Sequence, residues 1–146
     1  SWPCPGVRGG DSSARPRMCT SIPRTDPAEH GLDQNVVAYT TLRQAGLSIE
    51  DIGLFELNEA FAVQVIAFLD HYGIADDDER VNPWGGAIAI GHPLASSGVR
   101  LMTQLAHHFE DNPQVRYGLV AMCIGIGMGG CVIWENPHHA DYGKEN

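Results

Sequence analysis

SIEDIGLFELNEAFAVQVIAFLDHYG, residues 48–73, changes its period near the middle. Ile52, Leu54, Phe55 and Leu57 make a short apolar run behind an acidic turn, the pattern of a buried strand. From Ala60 to Leu69 every position except Gln64 is apolar, and the length suits a helix. A helix that is hydrophobic on every side is expected to be covered on every side. That requirement points past a simple two-layer domain, to a helix packed between sheets or against a partner.

Working outward, QNVVAYTTLRQA (34–45) places Val37, Thr41 or Leu42, and Ala45 at helical spacing, and Gly46 follows where a C-terminal cap belongs. Downstream of the acidic turn ADDDER lies the glycine-rich stretch NPWGGAIAIGHPLASSG (82–98). A helix is expected over 96–109 with Val99, Met102, Leu105, Ala106 and Phe109 on its apolar face. RYGLVAMC (116–123) and GGCVIWE (129–135) read as two closing strands joined through IGIGM. The order helix, strand, helix, helix, strand, strand predicts an α/β fold: a mixed sheet with helices on both faces, one of them fully buried.

Residues 1–26 hold four prolines, three glycines and four arginines without hydrophobic periodicity, so they are expected to form a disordered leader. The folded domain is expected over 27–137 and a flexible tail over 138–146. The sequence begins without methionine, which suggests a fragment of a longer protein.

The 146 residues are enough for one core, not two. No stretch approaches the roughly 20 apolar residues of a membrane span, so a soluble chain with no membrane partner is expected. Nine basic residues against 18 acidic ones give a net charge of −9, and the basic ones form no stripe, which argues against a nucleic acid partner. Cys4, Cys19, Cys123 and Cys131 fit neither a zinc site nor a disulfide scaffold, so a reducing, cytoplasmic setting and no metal are expected. The terminal YGKEN is not a sorting address.

Three short elements carry candidate chemistry: NEAF (58–61), GHP (91–93) and CIGIGMGG (123–130). Gly125, Gly127, Gly129 and Gly130 superficially match a dinucleotide fingerprint, but a strand follows them where that mechanism needs a helix N-terminus. They read either as a hairpin connection or as a turn that lets backbone N–H groups reach a ligand oxygen beside Cys123. Pro93 stiffens the loop after His92 and favours an extended His92, which aims the ring from a rigid mount; an ordinary structural histidine is the plain alternative. Cys123 is by default a small buried hydrophobe, whereas a cysteine beside a histidine can form a thiolate pair. Asn58 and Glu59 could be a helix N-cap and a first-turn acid. His71, His107 and His108 read as surface residues.

LRQAGLSIEDIGLFELNEAFAVQ, VNPWGGAIAIGHPLASSGVRL and YGLVAMCIGIGMGG, taken together, resemble the C-terminal half of thiolases over about residues 26–137. They match that family's NEAF, GGAIAxGHP and C-x-G-x-G-x-G motifs. The resemblance implies an acyl-CoA acyltransferase that condenses two acyl-CoA molecules or cleaves a 3-ketoacyl-CoA with CoA. It implies that Cys123 is the acid/base at the α-carbon, and that His92 activates a nucleophilic cysteine and donates to a thioester oxygen. It further implies that Asn58 holds the water completing that oxyanion hole, that the Gly125 N–H serves a second hole, and that Phe61 lines the pantetheine tunnel. Such chemistry suits a soft base with fixed donors at a developing enolate oxygen.

No tightly bound cofactor is expected; CoA and acyl-CoA are substrates. The family's nucleophile, much of its dimer interface and its nucleotide-gripping loop belong to parts that this sequence is expected to lack. Ala95 stands where the family usually has glycine, and Trp84 where it often has asparagine or histidine. The leading expectation is therefore CoA-dependent acyl transfer of the degradative 3-ketoacyl-CoA type. A homo-oligomer, or pairing with thiolase subunits, is expected. The alternatives are an inactive truncated chain that pairs with intact thiolase subunits, and a non-catalytic acyl-CoA binder akin to sterol-carrier thiolases.

Overall fold

The computed structural model describes residues 17–21, 33–125 and 128–144. The elements are β1 (Arg17–Ser21), α1 (Asp33–Ala45), β2 (Ile52–Leu57), α2 (Ala62–Tyr72), α3 (Ala87–Ile90), α4 (Leu94–Asp111), β3 (Tyr117–Gly125) and β4 (Met128–Glu135). The strands form one mixed sheet in the order β1-β4-β3-β2. β2 and β3 run parallel, and β4 is antiparallel to both β3 and β1. A parallel pair needs a crossover, and the segment from α2 to α4 supplies it. The expected mixed α/β fold is therefore present.

Alternation along β2 sorts the core into two layers. Ile52, Phe55 and Leu57 join Leu119, Ala121 and Ile133 in a large cluster with Val37, Ala38 and Leu42 of α1 and Phe68 and Leu69 of α2. Leu54 points the other way, with Val120, into a smaller cluster with Leu101, Leu105 and Phe109 of α4. Helices thus cover both faces. On the second face the approach is so close that a Cβ at Gly118 would collide with Leu105 and Phe109. Helix α1 ends as its sequence predicts: Gly46 adopts φ 69°, and the Leu47 N–H reaches back to the Leu42 carbonyl at 3.0 Å.

Four expectations need correction. Arg17–Ser21 lies inside the segment expected to be disordered, yet it is the edge strand β1, in register with β4 from Arg17↔Glu135 to Ser21↔Cys131. Pairing with an existing strand lends order that five residues of mixed composition do not signal. The rest of that leader, residues 1–16 and 22–26, lies outside the described residues, as does Cys4.

Helix α2 is not covered all round by this chain: only Gln64, Phe68 and Leu69 are buried, while Val63 is 67% and Ile66 53% exposed. Its composition is apolar on every side, but the sheet reaches only one. On α4 the buried stripe is Ser97, Leu101, Leu105, His108 and Phe109, and Val99 lies on the exposed side. Finally, residues 138–144 of the expected tail form turns tied to the sheet, with the Gly143 N–H on Glu135 Oε1 at 3.2 Å and Arg116 Nη2 on the Lys144 carbonyl at 2.7 Å. Residues 145–146 are outside the described set. Among the described residues no helix is long and apolar enough to cross a membrane.

Candidate functional site

The C-terminal ends of the parallel strands β2 and β3 lie side by side, the place where α/β folds collect ligands. Asn58, one residue past β2, is the junction. Its N–H donates to the Ala121 carbonyl of β3 at 3.0 Å, and its own carbonyl accepts from the Ala87 N–H at the start of α3 at 3.3 Å. Its side chain turns to the GHP loop, with Nδ2 3.2 Å from His92 Nε2.

The imidazole is held from its other side too. His92 Nδ1 lies 2.7 Å from Ser97 Oγ, and Ser97 Oγ donates to the Pro93 carbonyl at 3.0 Å. Because that hydroxyl spends its proton on Pro93, it accepts from Nδ1, which makes the ring the Nδ1–H tautomer with a lone pair on Nε2. Donors then run in one direction from Asn58 through His92 and Ser97 to Pro93. Arg100 steadies the same loop, its Nη1 donating to the Gly91 carbonyl at 2.7 Å. Gly91 is left-handed at φ 90°, a turn suited to glycine.

Asn58 and Glu59 are not capping residues. Helix α2 begins at Ala62 with Phe61 in the cap position, so both residues lie upstream and their side chains turn to other loops. Phe61 itself is 67% exposed beside the site.

Cys123 stands two residues beyond the Asn58 contact on β3, half-buried and paired in register with Gly129. The register slips between Cys123 and Gly125, where Gly125 takes φ 97°. Strand β4 takes in Gly129 and Gly130 of the glycine run, and a strand rather than a helix stands there, as its sequence predicts; Gly127 lies outside the described residues. Neither Cys123 nor Cys131 is in a disulfide. Cys131 is fully buried in the large cluster, where burial pushes its thiol up to about 12 and keeps it protonated.

Sequence reasoning missed a buried acid–histidine pair. His108, expected at the surface, is buried on α4, with Nε2 3.3 Å from Oε1 of the equally buried Glu56 on β2. Trp84 lies over that imidazole at 4.0 Å between ring centroids. Burial lifts the Glu56 carboxyl to about 7, against the opposing pull of Arg100 and with a smaller push from Glu59. Burial also lowers the His108 pKa, partly offset by Asp111. The helical spacing of His108 from Leu101 and Leu105 was the available signal. Ser97 and Arg100 carried none, since their partners are loop carbonyls and a ring. His71 and His107 are exposed, as expected.

A family model described as thiolase, C-terminal domain, matches residues 14–136. The chain is 48% identical over 111 residues to a 3-ketoacyl-CoA thiolase of Pseudoalteromonas translucida (strain TAC 125), covering 75% of this chain and 28% of the relative. It is 40% identical over 132 residues to a 3-ketoacyl-CoA thiolase of Escherichia coli O6:K15:H31 (strain 536 / UPEC), covering 88% and 34% respectively. A beta-ketoadipyl-CoA thiolase of Acinetobacter baylyi (strain ATCC 33305 / BD413 / ADP1) is 50% identical over 94 residues, covering 64% and 23%. The chain thus spans about a third or less of the length of the curated relatives it matches.

Proposed function

The chain belongs to the thiolase family, and from that premise we propose that it carries one half of a CoA-dependent acyl-transfer site, acting on 3-ketoacyl-CoA or in the reverse condensation. The observation that carries this reading is the hydrogen-bonded run from Asn58 through His92 to Ser97, at the end of β2 and beside the strand that bears Cys123. A neutral imidazole with its lone pair on Nε2 is the form that can take a thiol proton. Once protonated, Nε2–H becomes a donor for a thioester oxygen, and the Asn58 amide stands next to it. Cys123, as thiolate, would remove a proton from the α-carbon of an acetyl thioester. The negative charge then moves to the thioester oxygen, where fixed donors lower the barrier. In the cleavage direction the Cys123 thiol returns that proton to the departing acetyl-CoA carbanion. Gly125 would offer its N–H to the second acyl oxygen, and Phe61 an apolar wall to the pantetheine arm.

The nucleophilic cysteine that forms the acyl intermediate would come from another polypeptide segment. The test is thiolysis of acetoacetyl-CoA, followed by loss of the enolate absorbance, with the purified chain alone and mixed with a thiolase N-terminal half. Turnover in the mixture that disappears in His92→Ala and Cys123→Ala supports the proposal. The absence of both turnover and CoA binding in the mixture overturns it.

A second reading, a pairing module for thiolase subunits or for its own copies, is favoured by one observation. Phe61, Val63 and Ile66 at α2, and Ile88, Leu94 and Val99 on the helices that flank His92, are all exposed. Apolar surface of that kind marks an interface. Co-purification with a full-length thiolase subunit, without turnover contributed by this chain, would support pairing over catalysis.

A further inference from the structure

Glu59 and Asn82 are the two non-glycine residues with left-handed backbones among the described residues, at φ 53° and 46°. Asparagine tolerates that region; glutamate does so rarely, and strain of this kind persists where the surroundings demand it. The two side chains meet. Asn82 Nδ2 donates to Glu59 Oε1 at 2.6 Å, and the Ile88 N–H donates to Glu59 Oε2 at 3.1 Å. The amide of Asn82 is used at its other end as well, its Oδ1 accepting from the Leu57 N–H at 2.7 Å. A Cβ at Gly86 would collide with the Glu59 carboxylate, so the loop is cut to fit it.

Each of these bonds joins the segment that carries Asn58 to the segment that carries His92. Leu57 and Glu59 flank Asn58. Asn82, Gly86 and Ile88 lie on the chain running into His92, which has no strand of its own beyond the single bridge from Val81 to Phe55. We propose that Glu59 is a positioning residue: its carboxylate clamps the 82–88 loop to the end of β2, and so sets the distance between the Asn58 amide and His92 Nε2. It touches neither substrate nor reacting atoms. The inference rests on the reading of His92 and Asn58 as site residues given above. A carboxylate is suited to this because it accepts two N–H donors at once, one from each end of the loop, with charge-assisted strength. Glutamine offers only one acceptor in the same shape.

The test reads the His92 ring in the chain itself, by long-range 1H–15N correlation at a pH where the imidazole is neutral. The parent should show the single Nδ1–H tautomer. Glu59→Ala, and independently Gly86→Ala, which displaces the carboxylate without removing it, should shift the ring toward a mixture of tautomers. Glu59→Gln should fall between them and the parent. Ile133→Ala serves as the control, because it removes a fully buried side chain of the α1-facing core and weakens the fold elsewhere. An unchanged Nδ1–H ring in whichever of Glu59→Ala and Gly86→Ala folds, or an equal shift in Ile133→Ala, overturns the proposal.

In the mixture with a thiolase N-terminal half, Glu59→Ala should lower kcat by about 100-fold with little change in KM, the scale of a displaced reactive group. If the parent shows neither turnover nor CoA binding there, the functional reading fails while the ring measurement still decides the clamp.

Discussion

The two faces of the sheet are built from different materials. Under α1 and α2 the interior is a broad apolar cluster from five strand and helix segments, with Phe55, Phe68, Leu119 and Ile133 fully enclosed. Under α4 the apolar cluster has five buried members, and beside it lie a carboxyl, an imidazole and a guanidinium: Glu56, His108 and Arg100. The first face supplies most of the apolar core. The second leads by way of α4 and its N-terminal turn to His92, and its polar groups stand directly behind the site. At the outer side of α2 the first face also ends abruptly, leaving large side chains uncovered. The buried polar groups are thus gathered on the α4 face, while Cys123 follows Leu119 and Ala121 on the other side of β3.

The strongest way to break this comparison is to make one substitution in two places. Phe68→Ala empties a fully buried position packed edge-on against Phe55 at 6.3 Å and should cost about 3–5 kcal/mol, seen as a fall in the urea midpoint. Phe61→Ala, seven residues earlier in the same apolar run, should change that midpoint by no more than about 0.5 kcal/mol. Equal losses at both positions would mean that the chain covers Phe61 after all.

The polar face predicts a pH effect of intermediate size. The Glu56 carboxyl lies at about 7 in the fold, above its ordinary value of 4.5, so the folded state binds that proton more tightly than the unfolded chain does. Stability from this group is therefore complete at acid pH and is lost as pH rises from about 4.5 to about 7. His108 acts in the opposite sense: its pKa is lowered, so charging it in acid weakens the fold. Glu56→Gln removes the first effect and leaves the second. The Tm of the variant should exceed that of the parent at pH 8 and match it or fall below it at pH 5. The same displacement at both pH values would show that the carboxyl does not titrate in the fold.

Much of this division was legible in the residues. The apolar run at Ile52–Leu57, the cap at Gly46 and the two closing strands follow from local pattern, and so does the rigid seat of His92 between glycine and proline. Three features needed tertiary contacts that no local pattern contains. β1 is a strand only because β4 offers it an edge. Asn58 looks like a helix cap until the helix is seen to start four residues later. His108 sits on the buried stripe of α4 and has Glu56 opposite it from another element. The expectation for α2 failed for a different reason: composition reports what a helix can bury, not whether a neighbour is there to cover it.

That last point predicts little effect on stability. Val63 and Ile66 lie on the outer side of α2, and neither belongs to the buried set. Replacing both with serine removes apolar surface that is already in water, so no cavity forms and the transfer contribution is small. Serine has about the same helix propensity as isoleucine and valine, within a few tenths of a kcal/mol. The urea midpoint should therefore move by less than about 1 kcal/mol. If the pairing surface proposed above includes this side of α2, self-association measured by sedimentation at rising concentration should fall. A large loss of stability would mean that this side of α2 is part of the core, and the contrast between the two ends of the apolar run would disappear.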